Sequence, residues 1–107
     1  MARVKALIRL GNEGTRLFTS TFDEFQAYNV TKNLRKETIR TYGNYKTLLS
    51  HYYLTYNETL DSFSPDIITS SFITSFTHYL ATARKNNTVS INTALRHIKA
   101  FVNFCSE

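Results

Sequence analysis

At 107 residues, 42% of them hydrophobic and with a net charge of +5, the chain has the size of one small domain and enough apolar surface for a single core. It is not a disordered composition. Its single cysteine, Cys105, excludes an internal disulfide, and His51, His78 and His97 are scattered without metal-ligand spacing. No apolar run reaches the roughly 18–20 residues of a membrane span. The first ten residues lack a secretory cleavage pattern. A cytoplasmic protein without metal, cofactor or membrane partner is expected.

The charge is segregated. Residues 1–36 carry Arg3, Lys5, Arg9, Arg16, Lys32, Arg35 and Lys36 against Glu13, Asp23 and Glu24. Residues 37–83 carry only Arg40 and Lys46 against Glu37, Glu58, Asp61 and Asp66, and residues 84–107 are basic again through Arg84, Lys85, Arg96 and Lys99. Basic ends around an acidic middle raise the odds of a nucleic-acid partner.

The amino-terminal stretch Arg3-Val4-Lys5-Ala6-Leu7-Ile8-Arg9-Leu10 alternates like a strand. A lone strand has nothing to pair with in a helical domain. Residues 1–19 are therefore expected to form a flexible basic arm, set off by the turn Gly11-Asn12-Glu13-Gly14. Such an arm can follow a groove or the phosphate backbone of DNA. The plain alternative is a disordered terminus with incidental charge.

Residues 20–107 read as helical. The first helix is predicted to open at the capping box Thr21-Phe22-Asp23-Glu24. Phe22, Phe25 and Tyr28 form its buried side, and it ends near Lys32 or Asn33. The second helix is predicted over 36–56, where Ile39, Tyr42, Tyr45, Leu49, Tyr52 and Tyr56 make one apolar face. Gly43 inside it is either a tolerated defect or a point of close approach. The third helix is predicted to start at Ser64-Pro65-Asp66, an N-cap, a proline at the first turn and an acid. Its apolar face is Ile68, Phe72, Phe76, Tyr79, Leu80 and Ala83, and it stops near Arg84. The fourth begins near Thr88 or Ser90 and buries Ile91, Leu95, Ile98 and Phe101 or Val102. The expectation is a compact all-α, four-helix domain, with the second and fourth helices packed on the third.

Two polar stripes stand out. On the second helix Lys36, Arg40, Asn44, Thr47 and His51 recur at steps of three and four; on the fourth, Asn92, Arg96, Lys99 and Asn103 do the same. Neither stripe holds an acid, whereas an ordinary solvated helix face mixes signs. Arg and Lys can neutralise phosphates, Asn and Arg can reach base edges, and Thr can donate to phosphate oxygens. Lys36, Arg40, Asn44, Thr47, Asn92, Arg96 and Lys99 are the candidate DNA-binding residues. Catalytic motifs are missing: the sequence has no glycine-rich phosphate loop, no nucleophile elbow and no carboxylate pair. Arg40, His51 and Tyr52 make a tempting trio, but the tyrosines fall mostly at apolar helical positions, where packing is their commoner role.

Three segments together resemble a known family. Asn33 through Tyr42, with Leu48-Leu49 six residues on, is similar to the second-helix signature of tyrosine recombinase core-binding domains. Ser64-Pro65-Asp66-Ile67-Ile68 with Phe72, Phe76 and Tyr79-Leu80 resembles the third helix. Thr88 through Phe101, containing Ser90-Ile91-Asn92 and Arg96, resembles the fourth. The opening Leu7 to Gly11 and Gly14 to Leu17 is also similar to starts of mobile-element recombinases. The resemblance implies a SAM-like four-helix domain of a site-specific tyrosine recombinase (phage integrase), one half of a C-shaped clamp on double-stranded DNA. It implies contact through the second and fourth helices, with neighbouring recombinase protomers as partners in a synaptic complex. It also implies that strand cleavage and joining belong to a separate catalytic domain. No residue here matches that domain's Arg, His-x-x-Arg and tyrosine set, so this chain is expected neither to cleave nor to join DNA. A helical protein-interaction or oligomerisation module without DNA binding is the alternative reading.

Overall fold

The computed structural model describes residues 16–106. They form four helices, α1 (Phe18–Thr31), α2 (Lys36–Tyr56), α3 (Ser70–Thr82) and α4 (Thr88–Cys105), with a short 3-10 turn at Pro65–Ile67 before α3. No strand occurs among the described residues. The all-α, four-helix expectation holds, and α2 has the predicted bounds.

Two helix starts differ from expectation. α1 begins three residues before Thr21, whose side chain is buried and caps nothing. Tertiary packing overrides the local capping box. The ring of Phe18 stacks on Phe63 at 4.3 Å, and the Phe18 amide donates to the Phe63 carbonyl at 2.7 Å. The second difference is at α3. Ser64 does accept from the Asp66 amide, and Pro65 does occupy the first turn, but that turn lasts only three residues. Ile68 leaves helical geometry (φ −80°, ψ 74°) with its side chain in the core, and Thr69 then caps a new start by accepting from the Phe72 amide.

The other ends follow local rules. Asn33 (φ 61°) and Lys85 (φ 56°) adopt the left-handed conformation after α1 and α3. Asparagine tolerates that region with its short polar side chain. Asn87 caps α4 by accepting from the Ser90 amide at 2.8 Å.

The core is aromatic. Phe101 of α4 lies against Phe18, Phe22 and Phe25 of α1 at 4.6–5.5 Å between ring centroids. Phe25 continues the cluster to Tyr42 and Phe104. Tyr52 of α2 packs on Phe72, Phe76 and Tyr79 of α3. Tilted and edge-to-face rings align the positive edge of one with the negative face of the next, which adds to the gain from area burial. Ala83 and Tyr56, predicted on buried faces, are exposed; Tyr56 lies in the last turn of α2, beyond the core.

The folded body also reaches further back than residue 20. Arg16 is only 7% exposed and pairs with Asp66 at 2.9 Å, and Phe18 is fully buried. Residues 16–19 thus belong to the folded body rather than to an arm, because Phe18 fills the space over Phe63 and Phe101. The remainder of the expected arm, residues 1–15, lies outside the described residues.

Gly43 is no point of close approach. A β-carbon built there would meet Gln26 Nε2 at 3.8 Å, an ordinary contact. Gly43→Ala is therefore expected to stabilise the domain by about 0.5–1 kcal/mol, the helix-interior cost of glycine. A urea melt reads this as a raised midpoint; a lowered one would show that the α1–α2 interface needs the gap.

Candidate nucleic-acid interface

Contacts fix the relative sense of the helices. Asp23 pairs with Lys46, Phe25 meets Tyr42, and Gln26 donates to the Ile39 carbonyl, so α1 and α2 run antiparallel. Phe18 and Phe22 meet Phe101 while Tyr28 meets Phe104, so α1 and α4 run in the same sense. It follows that α2 and α4 run in opposite senses. They cross at His97, whose ring lies 5.0 Å from that of Tyr42 and 4.9 Å from that of Tyr45.

All the candidate residues are exposed: Lys36, Arg40, Asn44 and Thr47 on α2, and Asn92, Arg96 and Lys99 on α4. So are His51 and Asn103, which extend the two rows. The opposite faces supply the core through Leu49, Tyr52 and Tyr53 on α2 and Ala94, Ile98, Phe101 and Phe104 on α4. This division explains why each stripe is polar throughout: it is the part of the helix that packing does not use.

Among the described residues two ion pairs form, Arg16–Asp66 and Lys46–Asp23. Both lie off the stripes, so Lys36, Arg40, Arg96 and Lys99 carry charge that no described carboxylate neutralises. Arg96 is held only by a long 3.4 Å contact from Nη2 to Thr93 Oγ1, and the Thr47 hydroxyl donates to the Gly43 carbonyl at 3.2 Å. A guanidinium has five N–H donors in a planar fork, so Arg96 keeps most of them for a ligand.

His97 carries no motif that marks it, yet it is the residue on which α2 and α4 meet. Its Nδ1 lies 2.8 Å from the Thr93 carbonyl. A carbonyl only accepts, so Nδ1 bears the proton and fixes the ring plane. The signal available in the sequence was spacing: Thr93, His97 and Phe101 share one side of α4 at steps of four.

The trio Arg40, His51 and Tyr52 does not converge. At 1.5 Å per residue, Arg40 is about 18 Å from Tyr52 along α2, and Tyr52 is buried against α3 while Arg40 and His51 are exposed. Burial raises the Tyr52 phenol above its usual value, with the Tyr56 side chain adding to the rise and a hydrogen bond to Ser75 opposing it. That is the reverse of what a nucleophile requires. Because the folded state holds this proton more tightly than the unfolded chain, Tyr52's contribution to stability is intact below the ordinary tyrosine range, about pH 10, and falls as pH rises above it. Denaturant melts across that range should show wild type losing stability more steeply than Tyr52→Phe; equal slopes would refute the assignment.

No described helix is long and apolar enough to cross a membrane. Residues 20–107 match the family model of the phage integrase SAM-like domain. Comparisons with curated proteins and with solved structures give no match. The family match covers well over half of the chain and the same four helices, and the chain therefore belongs to the phage integrase SAM-like domain family, the N-terminal SAM-like domain of tyrosine recombinases and integrases.

Proposed function

We propose that this domain grips the duplex at a recombination site through α2 and α4, while a separate catalytic domain of the recombinase cuts and joins the strands. The observation that carries the reading is the pair of exposed, acid-free stripes whose cations have no carboxylate partner among the described residues. The helix senses lend support. Asn44 precedes the crossing residue Tyr45, and Arg96 precedes the crossing residue His97. On helices of opposite sense, positions one step before the contact turn to the same side of the pair. Asn44 and Arg96 then share a side, with Arg40 and Thr47 following on α2 and Asn92 and Lys99 on α4.

In this role Lys36, Arg40 and Lys99 meet phosphates, and Thr47 turns its one O–H from the Gly43 carbonyl to a phosphate oxygen. Asn44, Asn92 and Arg96 have the donor patterns for base edges. The domain performs no chemistry itself. Binding alone is weak, because a single module of this size buries only about 600–1,000 Å² of protein surface on DNA; neighbouring protomers and the second half of the clamp add the rest.

The test is an amide-shift titration of the chain with duplex DNA at several salt concentrations. Shifts should concentrate on the two stripes. Neutralising three phosphates through Lys36, Arg40 and Lys99 gives a log–log salt slope of about −2.7. Shifts confined to α3, or binding indifferent to salt, would instead mark a protein-interaction surface.

A further inference from the structure

The acidic middle of the chain borders a cleft of its own. Between the end of α2 and the start of α3, Tyr52, Tyr56, Asn57, Ile67, Phe72 and Ser75 line an open groove of about 490 Å³. Its walls hold large apolar surface that the core does not cover: Tyr56 is 71% exposed and Ile67 39%. Every charged side chain from residue 52 to 77 is an acid, Glu58, Asp61 and Asp66, and all three are exposed. Glu58 follows Asn57 and Asp66 precedes Ile67, so two of these acids are chain neighbours of residues that line the cleft. Such a surface repels nucleic acid and selects an occupant that is both apolar and basic.

The chain carries such a segment. Residues 3–10 alternate: in extended form Val4, Ala6, Ile8 and Leu10 share one side, and Arg3, Lys5 and Arg9 share the other. The described residues begin at Arg16, which pairs with Asp66, the chain neighbour of the cleft-lining Ile67. Residues 11–15 can span about 17 Å, enough to carry residues 3–10 across the groove. Glycines at 11 and 14 let this connection turn back on itself.

We propose that residues 3–10 dock in the acidic tyrosine cleft of their own chain, with the even-numbered apolar side chains against Tyr56, Ile67 and Phe72 and the basic ones facing Glu58 and Asp61. The inference is independent of the DNA reading, since no stripe residue lines the cleft and its test uses no DNA.

The experiment compares amide spectra of the full chain with those of a full-length variant carrying Arg3→Glu, Lys5→Glu and Arg9→Glu. Undocking should move the signals of Tyr56, Asn57, Ile67, Phe72 and Ser75 and leave those of Arg40, Asn44 and Arg96 in place. The reciprocal variant Glu58→Lys with Asp61→Lys should move the same signals. Combining all five substitutions should bring them back toward the wild-type positions, because the charge pairing is then reversed on both sides. Ile8→Asp should undock the segment without touching any charged residue. Glu58 and Asp61 are exposed and lie outside the core, so substituting them spares the fold. Unchanged cleft signals in the triple variant would overturn the proposal. So would recovery failing in the combined variant, or cleft shifts that grow with protein concentration, which mark exchange between copies.

Discussion

Replacing Phe63 by alanine should cost this domain about 3–5 kcal/mol, the range for removing a buried phenylalanine. Phe63 lies in the connection between α2 and α3, outside every helix. Even so it is fully buried and sandwiched between Phe18 and Tyr53, with both ring centroids at 4.3 Å. Its carbonyl accepts from the Phe18 amide and its own amide donates to the Leu60 carbonyl. Beside it the Tyr53 hydroxyl shares a 2.7 Å hydrogen bond with Ser62. One ring therefore holds the start of α1, the end of α2 and the approach to α3. A domain of this length has a total stability of about 5–15 kcal/mol, so the variant should stand near its unfolding threshold at room temperature. Urea melts of Phe63→Ala and of the exposed control Val89→Ala check this. A loss no larger than the control's would mean that the loop can vacate the core without consequence.

That residue also marks the limit of what sequence alone discloses here. Where apolar side chains repeat every three or four positions, as at Leu49 and Tyr52 or at Ile98 and Phe101, the period itself states the helix and its buried side. The bounds of α2 and the four-helix order followed from it. Phe63 has no such context, since Leu60 and Phe63 belong to a turn-rich loop, and only the folded chain reveals that the loop dips into the core. The same hidden contact moved the start of α1 from Thr21 to Phe18. Similarly, Ser64-Pro65-Asp66 is a sound capping signal that the chain obeys for one turn; a second cap at Thr69 then wins because Ile68 must turn inward. Arg16 shows the converse for charge. Counted with the basic end of the chain, it is in fact buried against Asp66, with Nε and Nη1 lacking hydrogen-bond partners among the described residues. It offers nothing to a nucleic acid. The stripes were legible because exposure on a helix follows from the same period that buries the other face. Their relation to one another was not, since it depends on the crossing at His97.

The second large effect concerns that crossing. If α2 and α4 form the DNA face, Arg96→Ala and Lys99→Ala should fail in different ways, although the two residues lie three positions apart on one exposed row. Lys99 presents a compact point charge on a flexible stem, suited to a phosphate and indifferent to sequence. Its loss should weaken binding to cognate and random duplexes alike and flatten the salt slope by about one. Arg96 directly precedes His97, and among the described residues its fork is held only by the 3.4 Å contact to Thr93. A fork of this kind can pair with two acceptors of a guanine in the major groove. Its loss should cost about 1–3 kcal/mol at the cognate site and less on random sequence. That is a five- to hundredfold or larger drop in affinity, since about 1.4 kcal/mol is tenfold. Asn92→Ala, one turn earlier on the same row, should fall between the two. Titrations of the variants against cognate and scrambled duplexes at two salt concentrations separate the cases. Parallel losses for Arg96→Ala on both duplexes would reassign that residue to the phosphate backbone. An unchanged affinity for Arg96→Ala and Lys99→Ala together would remove both cations of the α4 row from the interface.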